Sequence, residues 1–111
     1  MTPWLHLSDV DFHPTLTRLP GTSLVLIGTA ACGACRVFRR LARTLPDGLV
    51  DRVVDVDAER ALGLVDELDV FNRPALLLWR AGAAWCAVQC EARHEALRDA
   101  LRAALMGPQD P

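Results

Sequence analysis

Cys32 and Cys35, in the run Cys32-Gly33-Ala34-Cys35, are the residues of this chain whose type and spacing speak most directly of chemistry. A thiolate is the nucleophile of thiol–disulfide exchange, and a second thiol nearby can attack the resulting mixed disulfide and release its other half. Such a pair works best where the local field favours the thiolate. Here the motif stands between an apolar run, Ser23-Leu24-Val25-Leu26-Ile27-Gly28, and a stretch in which Val37, Phe38, Leu41, Ala42 and Leu45 recur at helical spacing. The run reads as a buried strand and the stretch as an amphipathic helix. Cys32 is therefore expected at a helix N-terminus, where unpaired backbone N–H groups and the positive end of the helix dipole stabilise a thiolate. Cys35 falls one turn inside, placed to resolve the mixed disulfide.

Bulk properties narrow the partners. The 111 residues, 51% of them hydrophobic, are expected to form a single domain over residues 1–111 around one core. A net charge of −2 and a pI near 5.8 give no electrostatic case for nucleic acid as a partner. All 12 strongly basic side chains are arginines. No uninterrupted apolar stretch reaches the ~18 residues of a membrane span, and Met1-Thr2-Pro3-Trp4-Leu5-His6 has neither a basic leader nor a long apolar segment. The expectation is a soluble, cytoplasmic protein that does not engage a membrane. In a reducing compartment a C-x-x-C pair is catalytic or metal-binding more often than a structural staple.

The elements that must position the cysteines follow from periodicity and turn residues. Leu5 to Leu7 is a short strand. Ser8 and Asp9 offer capping oxygens to a helix reaching about Leu19, with Pro14 tolerated in its first turn and Pro20-Gly21 ending it. After the cysteine-bearing helix, Pro46-Asp47-Gly48 turns the chain into a third strand, Leu49 to Asp57. Ala58 to Leu68 reads as a short helix. Pro74 opens a strand from Ala75 to Trp79, Ala81-Gly82 makes a turn, and Ala84 to Gln89 completes a hairpin. A final amphipathic helix runs from Glu91 to Leu105, carries Leu97, Leu101 and Leu105 on one face, and stops at Gly107-Pro108. The order is β-α-β-α-β-α-β-β-α, without an internal repeat or a low-complexity segment.

Three segments together resemble the thioredoxin family over nearly the whole chain. Leu5-His6-Leu7-Ser8-Asp9 is similar to the family's opening strand and helix cap. Val25 to Cys35 resembles its active-site strand and loop, and Arg73-Pro74-Ala75-Leu76-Leu77-Leu78-Trp79-Arg80-Ala81-Gly82 its cis-proline segment and following hairpin. The resemblance implies an α/β thioredoxin fold, a central mixed sheet of about five strands flanked by about four helices. It also implies a cis peptide bond at Pro74, facing the cysteines across a groove where a substrate chain pairs in strand-like fashion.

The chain departs from the family's pattern at four places. Ala31 stands where thioredoxins carry Trp, Ala34 where they carry Pro, Leu26 where they bury an acid that assists proton transfer from the resolving thiol, and Arg40 where a proline kinks the helix. Without that acid, Cys35 must give its proton to water or to substrate. Arg73, before the proline, brings a fixed charge to the groove rim, either to lower the Cys32 pKa or attract an acidic substrate, or simply to point to solvent. Arg36, Arg39, Arg40 and Arg43 recur at i, i+3, i+4 and i+7 and read as a solvated helix face. Asp55, Asp57, His6, His13 and His94 read as surface or turn residues.

Cys86 and Cys90 add a second feature. By the resemblance Cys90 falls at the end of the last strand near the groove, as an auxiliary thiol for the active-site pair; the alternative is two small packing residues. Four residues of extended chain span about 13 Å, so a Cys86–Cys90 disulfide needs a bend or bulge. A zinc site from all four cysteines is disfavoured by the Cys86-x3-Cys90 spacing and by the strand-to-helix setting of the first pair.

The expected function is thiol–disulfide exchange on protein disulfides. Cys32 attacks, Cys35 resolves, Gly33 and Ala34 form the loop between them, and Arg73 and Pro74 shape the substrate groove. It needs no metal or organic cofactor, and electrons come from a reductase or a small thiol. The alternative is a binding or assembly module on the same fold with little redox turnover.

Overall fold

The computed structural model describes residues 2–110. Strand β1 (Trp4–Leu7), helix α1 (Phe12–Arg18), strand β2 (Thr22–Gly28), helix α2 (Gly33–Arg43), strand β3 (Arg52–Asp57), a 3-10 turn (Ala58–Arg60), helix α3 (Leu62–Glu67), the hairpin β4 (Ala75–Arg80) and β5 (Ala83–Val88), and helix α4 (His94–Met106) follow in that order. The five strands form one mixed sheet in the order β1-β3-β2-β4-β5. β3 is parallel to both β1 and β2, whereas β4 runs antiparallel to β2 and β5.

β2 is central, and all seven of its residues are buried. A strand covered on both faces has no polar side to alternate with, which is why it reads as one continuous apolar run. Its residues nonetheless alternate between two cores. Leu24 and Leu26 join Phe38 and Ala42 of α2 and Leu97 and Leu101 of α4 on one face. Val25 and Ile27 join Phe12 and Leu16 of α1 and Leu64 of α3 on the other. Each fully buried Leu or Phe in these clusters stabilises the fold by about 1.5–3 kcal/mol relative to an exposed one. Phe12 meets Trp79 edge-on at 5.2 Å, closing the second core beneath the hairpin.

Several boundaries differ from expectation. β3 begins at Arg52 rather than Leu49. The preceding Asp51 folds back on the start of β2, donating its N–H to the Thr22 carbonyl at 2.9 Å and accepting the Thr22 N–H on its carboxylate at 2.7 Å. The expected helix from Ala58 to Leu68 is two pieces broken at Ala61. The Asp57 carboxylate holds the Glu59 N–H at 3.0 Å, and a 3-10 turn then aligns Ala58 and Ala61, both fully buried, on one edge. α1 starts at Phe12 with Asp11, rather than Ser8 or Asp9, in the N-cap position; the Asp11 side chain makes no capping hydrogen bond and instead turns back to accept the Ser8 N–H at 2.6 Å. α4 starts three residues late, after a tight turn in which the Arg93 N–H reaches the Glu91 carbonyl at 2.8 Å.

α4 is also anchored by side chains of the hairpin. Trp85 Nε1 donates to the Ala104 carbonyl at 3.2 Å, and Arg80 donates to the Leu105 carbonyl at 3.1 Å while stacking over the Trp85 ring. Together they occupy carbonyls that the helix C-terminus leaves unpaired.

Candidate active site

β2 ends at Gly28, and four residues later Cys32 stands as the N-cap of α2 in extended conformation. Its sulfur takes the place of a capping oxygen, accepting the Cys35 N–H at 3.2 Å, while its carbonyl accepts the Arg36 N–H at 3.2 Å. Cys35, one turn in, is fully buried, whereas Cys32 is partly exposed. Gly33 and Ala34 between them are exposed.

This geometry separates the two thiols electrostatically. The Cys32 pKa is lowered, first by the hydrogen bond from the Cys35 thiol and then by the Cys35 backbone; desolvation opposes these, and the Ala34 backbone and the charge of Arg39 add smaller lowering contributions. Burial pushes the Cys35 thiol up, and its bond to Cys32 and the charge there add to this. A Thr29 backbone hydrogen bond and Arg39 pull the other way. These shifts favour the thiolate at the outer sulfur and disfavour it at the inner one.

The loop before β4 faces this pair. The Arg73–Pro74 peptide is cis, and the Cys32 thiol points at the Arg73 carbonyl oxygen at 3.9 Å. The Arg73 side chain itself is exposed, and the guanidinium that lowers the Cys32 pKa is that of Arg39. Beside the loop, a groove of about 230 Å³ runs between Phe71, Asn72 and Pro74 and the β5 end at Val88 and Gln89. Phe71 is 86% exposed on its rim.

Cys86 lies in β5, and Cys90 two residues past its end, both partly buried against the core beneath α4. Burial raises both thiols, assisted by Asp110 at Cys86 and Glu91 at Cys90. Among the described residues, no three His, Cys, Asp or Glu side chains gather as a metal ion would require, so the four cysteines do not converge as the zinc alternative needs.

Two residues read as solvated are not. Asp55, expected at the surface, is 9% exposed, and Arg39 leaves the solvent face of α2 to pair with it: Nε lies 3.1 and 3.3 Å from the two carboxylate oxygens. The other three arginines of α2 are exposed; Arg36 holds the Ala30 carbonyl at 2.9 Å and Arg43 stacks over Trp4. The sequence did carry a signal. Asp55 sits in a run of valines on a strand flanked by parallel neighbours, on the face that also holds Val53, and an acid there needs a partner.

No protein-family model matches the chain, and no curated protein matches it either. Solved structures do. A single-residue mutant of thioredoxin from Halobacterium salinarum NRC-1 superposes with a TM-score of 0.76 at 19% identity, covering 92% of this chain and 90% of that one. Mitochondrial thioredoxin 3 from Saccharomyces cerevisiae, in its oxidised form, gives 0.75 at 18% identity over 89% and 93%. Thioredoxin f2 of Chlamydomonas reinhardtii gives 0.67 at 21% over 78% and 82%. The chain thus has the thioredoxin fold, a mixed five-stranded sheet between helices, with Cys32 and Cys35 in C-x-x-C spacing at the start of α2.

Proposed function

We propose that this protein is a thiol–disulfide oxidoreductase that acts on protein disulfides through a Cys32–Cys35 dithiol/disulfide couple. The observation that carries the reading is the asymmetry of the pair: a partly exposed sulfur capping a helix with its pKa lowered, above a fully buried one with its pKa raised. Cys32 attacks a substrate disulfide as thiolate and Cys35 resolves the mixed disulfide. Substrate lies in the groove beside Pro74 and meets Arg73 at its rim. A single domain suffices for this chemistry, and electrons return from a reductase or a small thiol in the cytoplasm. For Cys86 and Cys90 the packing role is favoured over an auxiliary one, because both pack against the apolar core and, unlike at Cys35, the burial that raises each thiol is reinforced by a neighbouring carboxylate rather than opposed by a positive charge.

The test is the equilibrium reduction potential of the pair in defined thiol buffers, with turnover on a protein disulfide compared between wild type and Cys32→Ser. A value near about −270 mV marks a reductase and about −120 to −180 mV an oxidase or isomerase. Failure of Cys32 and Cys35 to form a disulfide, with partner binding retained by Cys32→Ser, would instead identify a binding module.

A further inference from the structure

Arg39 is held from two sides. Its Nε lies against both oxygens of Asp55 and its Nη1 donates to the Thr29 carbonyl at 3.2 Å. The Asp55 carboxylate is only 10% exposed, and His6 of β1 approaches its other flank at 4.0 Å. The remaining nitrogen, Nη2, reaches the end of β2, where Gly28 has no side chain. The point at which a Cβ of residue 28 would stand is 2.6 Å from Cys35 Sγ and 3.5 Å from Arg39 Nη2. One slot therefore receives both groups, at most roughly 6 Å apart, within the range where a charge shifts the ionisation of a neighbour.

A buried ion pair is a poor way to fasten a helix to a sheet, since desolvation offsets much of the attraction and an apolar pair would serve as well. What apolar side chains cannot supply is a fixed positive charge behind a buried thiol. The charged and titratable groups around Cys35 are Cys32 and Arg39 on α2, with Asp55 on β3 and His6 on β1 standing behind the guanidinium.

We propose that Arg39, anchored by Asp55, is a positioning residue for the resolving step, its guanidinium stabilising the Cys35 thiolate as that sulfur turns on the mixed disulfide. The proposal rests on the exchange reading above. In the step, Cys35 loses its proton and its sulfur bonds to Cys32 Sγ. The bond from Cys32 to the substrate sulfur breaks, and the departing substrate thiolate takes up a proton. Over both steps the dithiol gives up two electrons to become a disulfide, and one substrate disulfide becomes two thiols. Once Cys32 is bonded to substrate it carries no charge, so the charge there no longer opposes Cys35 ionisation. Desolvation remains, and Arg39 acts against it.

The experiment follows release of thionitrobenzoate after the reduced protein is mixed with 5,5′-dithiobis(2-nitrobenzoate). Attack by Cys35 on the mixed disulfide is the phase whose rate does not depend on reagent concentration, and its pH midpoint reports the Cys35 thiolate. Arg39→Gln keeps a donor and loses the charge; its midpoint should rise by about one unit, making release about tenfold slower at pH values below both midpoints. Arg39→Lys should stay near wild type. Asp55→Asn keeps an acceptor for Nε while removing the charge that offsets the guanidinium, so its midpoint should fall, and its sign decides the matter even where Arg39→Gln does not fold. Wild-type release that Arg39→Gln leaves unmoved, or Gln and Asn variants shifting the same way, would overturn the role of Arg39 and leave the exchange reading standing. Absence of the intramolecular phase in the wild-type protein at any pH would remove both.

Discussion

The Cys35 N–H donates to Cys32 Sγ at 3.2 Å, so the residue that buries its own thiol also stabilises its partner's charge. The division of labour between two chemically identical side chains comes from one turn of helix. The outer sulfur sits where backbone donors converge, and the inner one is surrounded by core.

Alkylation should rank the four thiols accordingly. Below the ordinary thiol pKa, lowering it increases the thiolate fraction and raising it decreases that fraction, tenfold per unit. Cys32 is lowered and Cys35, Cys86 and Cys90 are raised. Reduced protein treated with iodoacetamide near pH 7 should therefore be modified faster at Cys32 than at Cys86 or Cys90, read by peptide mass mapping. Equal rates at Cys32 and Cys90 would contradict the electrostatic asymmetry.

Gly28 tests how tightly the inner thiol is fitted. A methyl group there would come within 2.6 Å of Cys35 Sγ and 2.9 Å of its Cβ, both on a helix that cannot easily withdraw. Gly28→Ala should destabilise by about 1–3 kcal/mol, lowering the melting temperature by roughly 4–8 °C for each kcal/mol, and should slow the attack by Cys35. Gly63 in α3 has open space where its Cβ would stand, so Gly63→Ala should instead stabilise by about 0.5–1 kcal/mol. Equal melting temperatures for the two variants would refute the close-approach argument.

What was legible in the sequence was whatever depends on neighbours along the chain. β2 announced itself as an uninterrupted apolar run, α2 by the spacing of Phe38 and Ala42, and the position of Cys32 by the junction between them. Contacts across the sheet were not legible. Asp55 and Arg39 are 16 residues apart, and nothing local says that one strand and one helix will bring them together. An arginine at helical spacing from three others looks solvated until Gly28 is known to leave a slot beneath it. The break at Ala61 was hidden for a related reason. Ala58 and Ala61 suit a helix by propensity, and their common burial under Asp57 selects the tighter turn.

The β4–β5 turn offers a stability gain remote from the cysteines. Ala81 adopts φ 50° and is followed by Gly82 at φ 83°, the left-handed pair that suits a two-residue hairpin turn. Alanine holds that conformation at a cost of roughly 1–2 kcal/mol that glycine avoids, although glycine gives back part of it through the entropy of the unfolded chain. Ala81→Gly should raise stability by up to about 1 kcal/mol in urea melts, with the slope of the transition unchanged. A lower midpoint would show that the turn has a different geometry in solution.

Arg73 should set a preference among substrates. Its carbonyl oxygen faces the Cys32 sulfur while its side chain is exposed, in the loop whose Phe71, Asn72 and Pro74 line the groove. If substrate docks in that groove as proposed, it meets a fixed positive charge that water screens only in part. An exposed charge pair is worth about 0.2–1 kcal/mol, and reversing one partner replaces an attraction with a repulsion of similar size. For Arg73→Glu, kcat/KM on a disulfide peptide flanked by acidic residues should fall at least about fourfold relative to the same peptide flanked by lysines, because the two peptides shift in opposite directions. The shift should shrink as ionic strength rises toward 1 M, where the screening length falls to about 3 Å. The ratio of the two peptides isolates the charge, because any general damage to the loop would slow both alike. An unchanged ratio at low salt would mean that the Arg73 side chain points away from bound substrate.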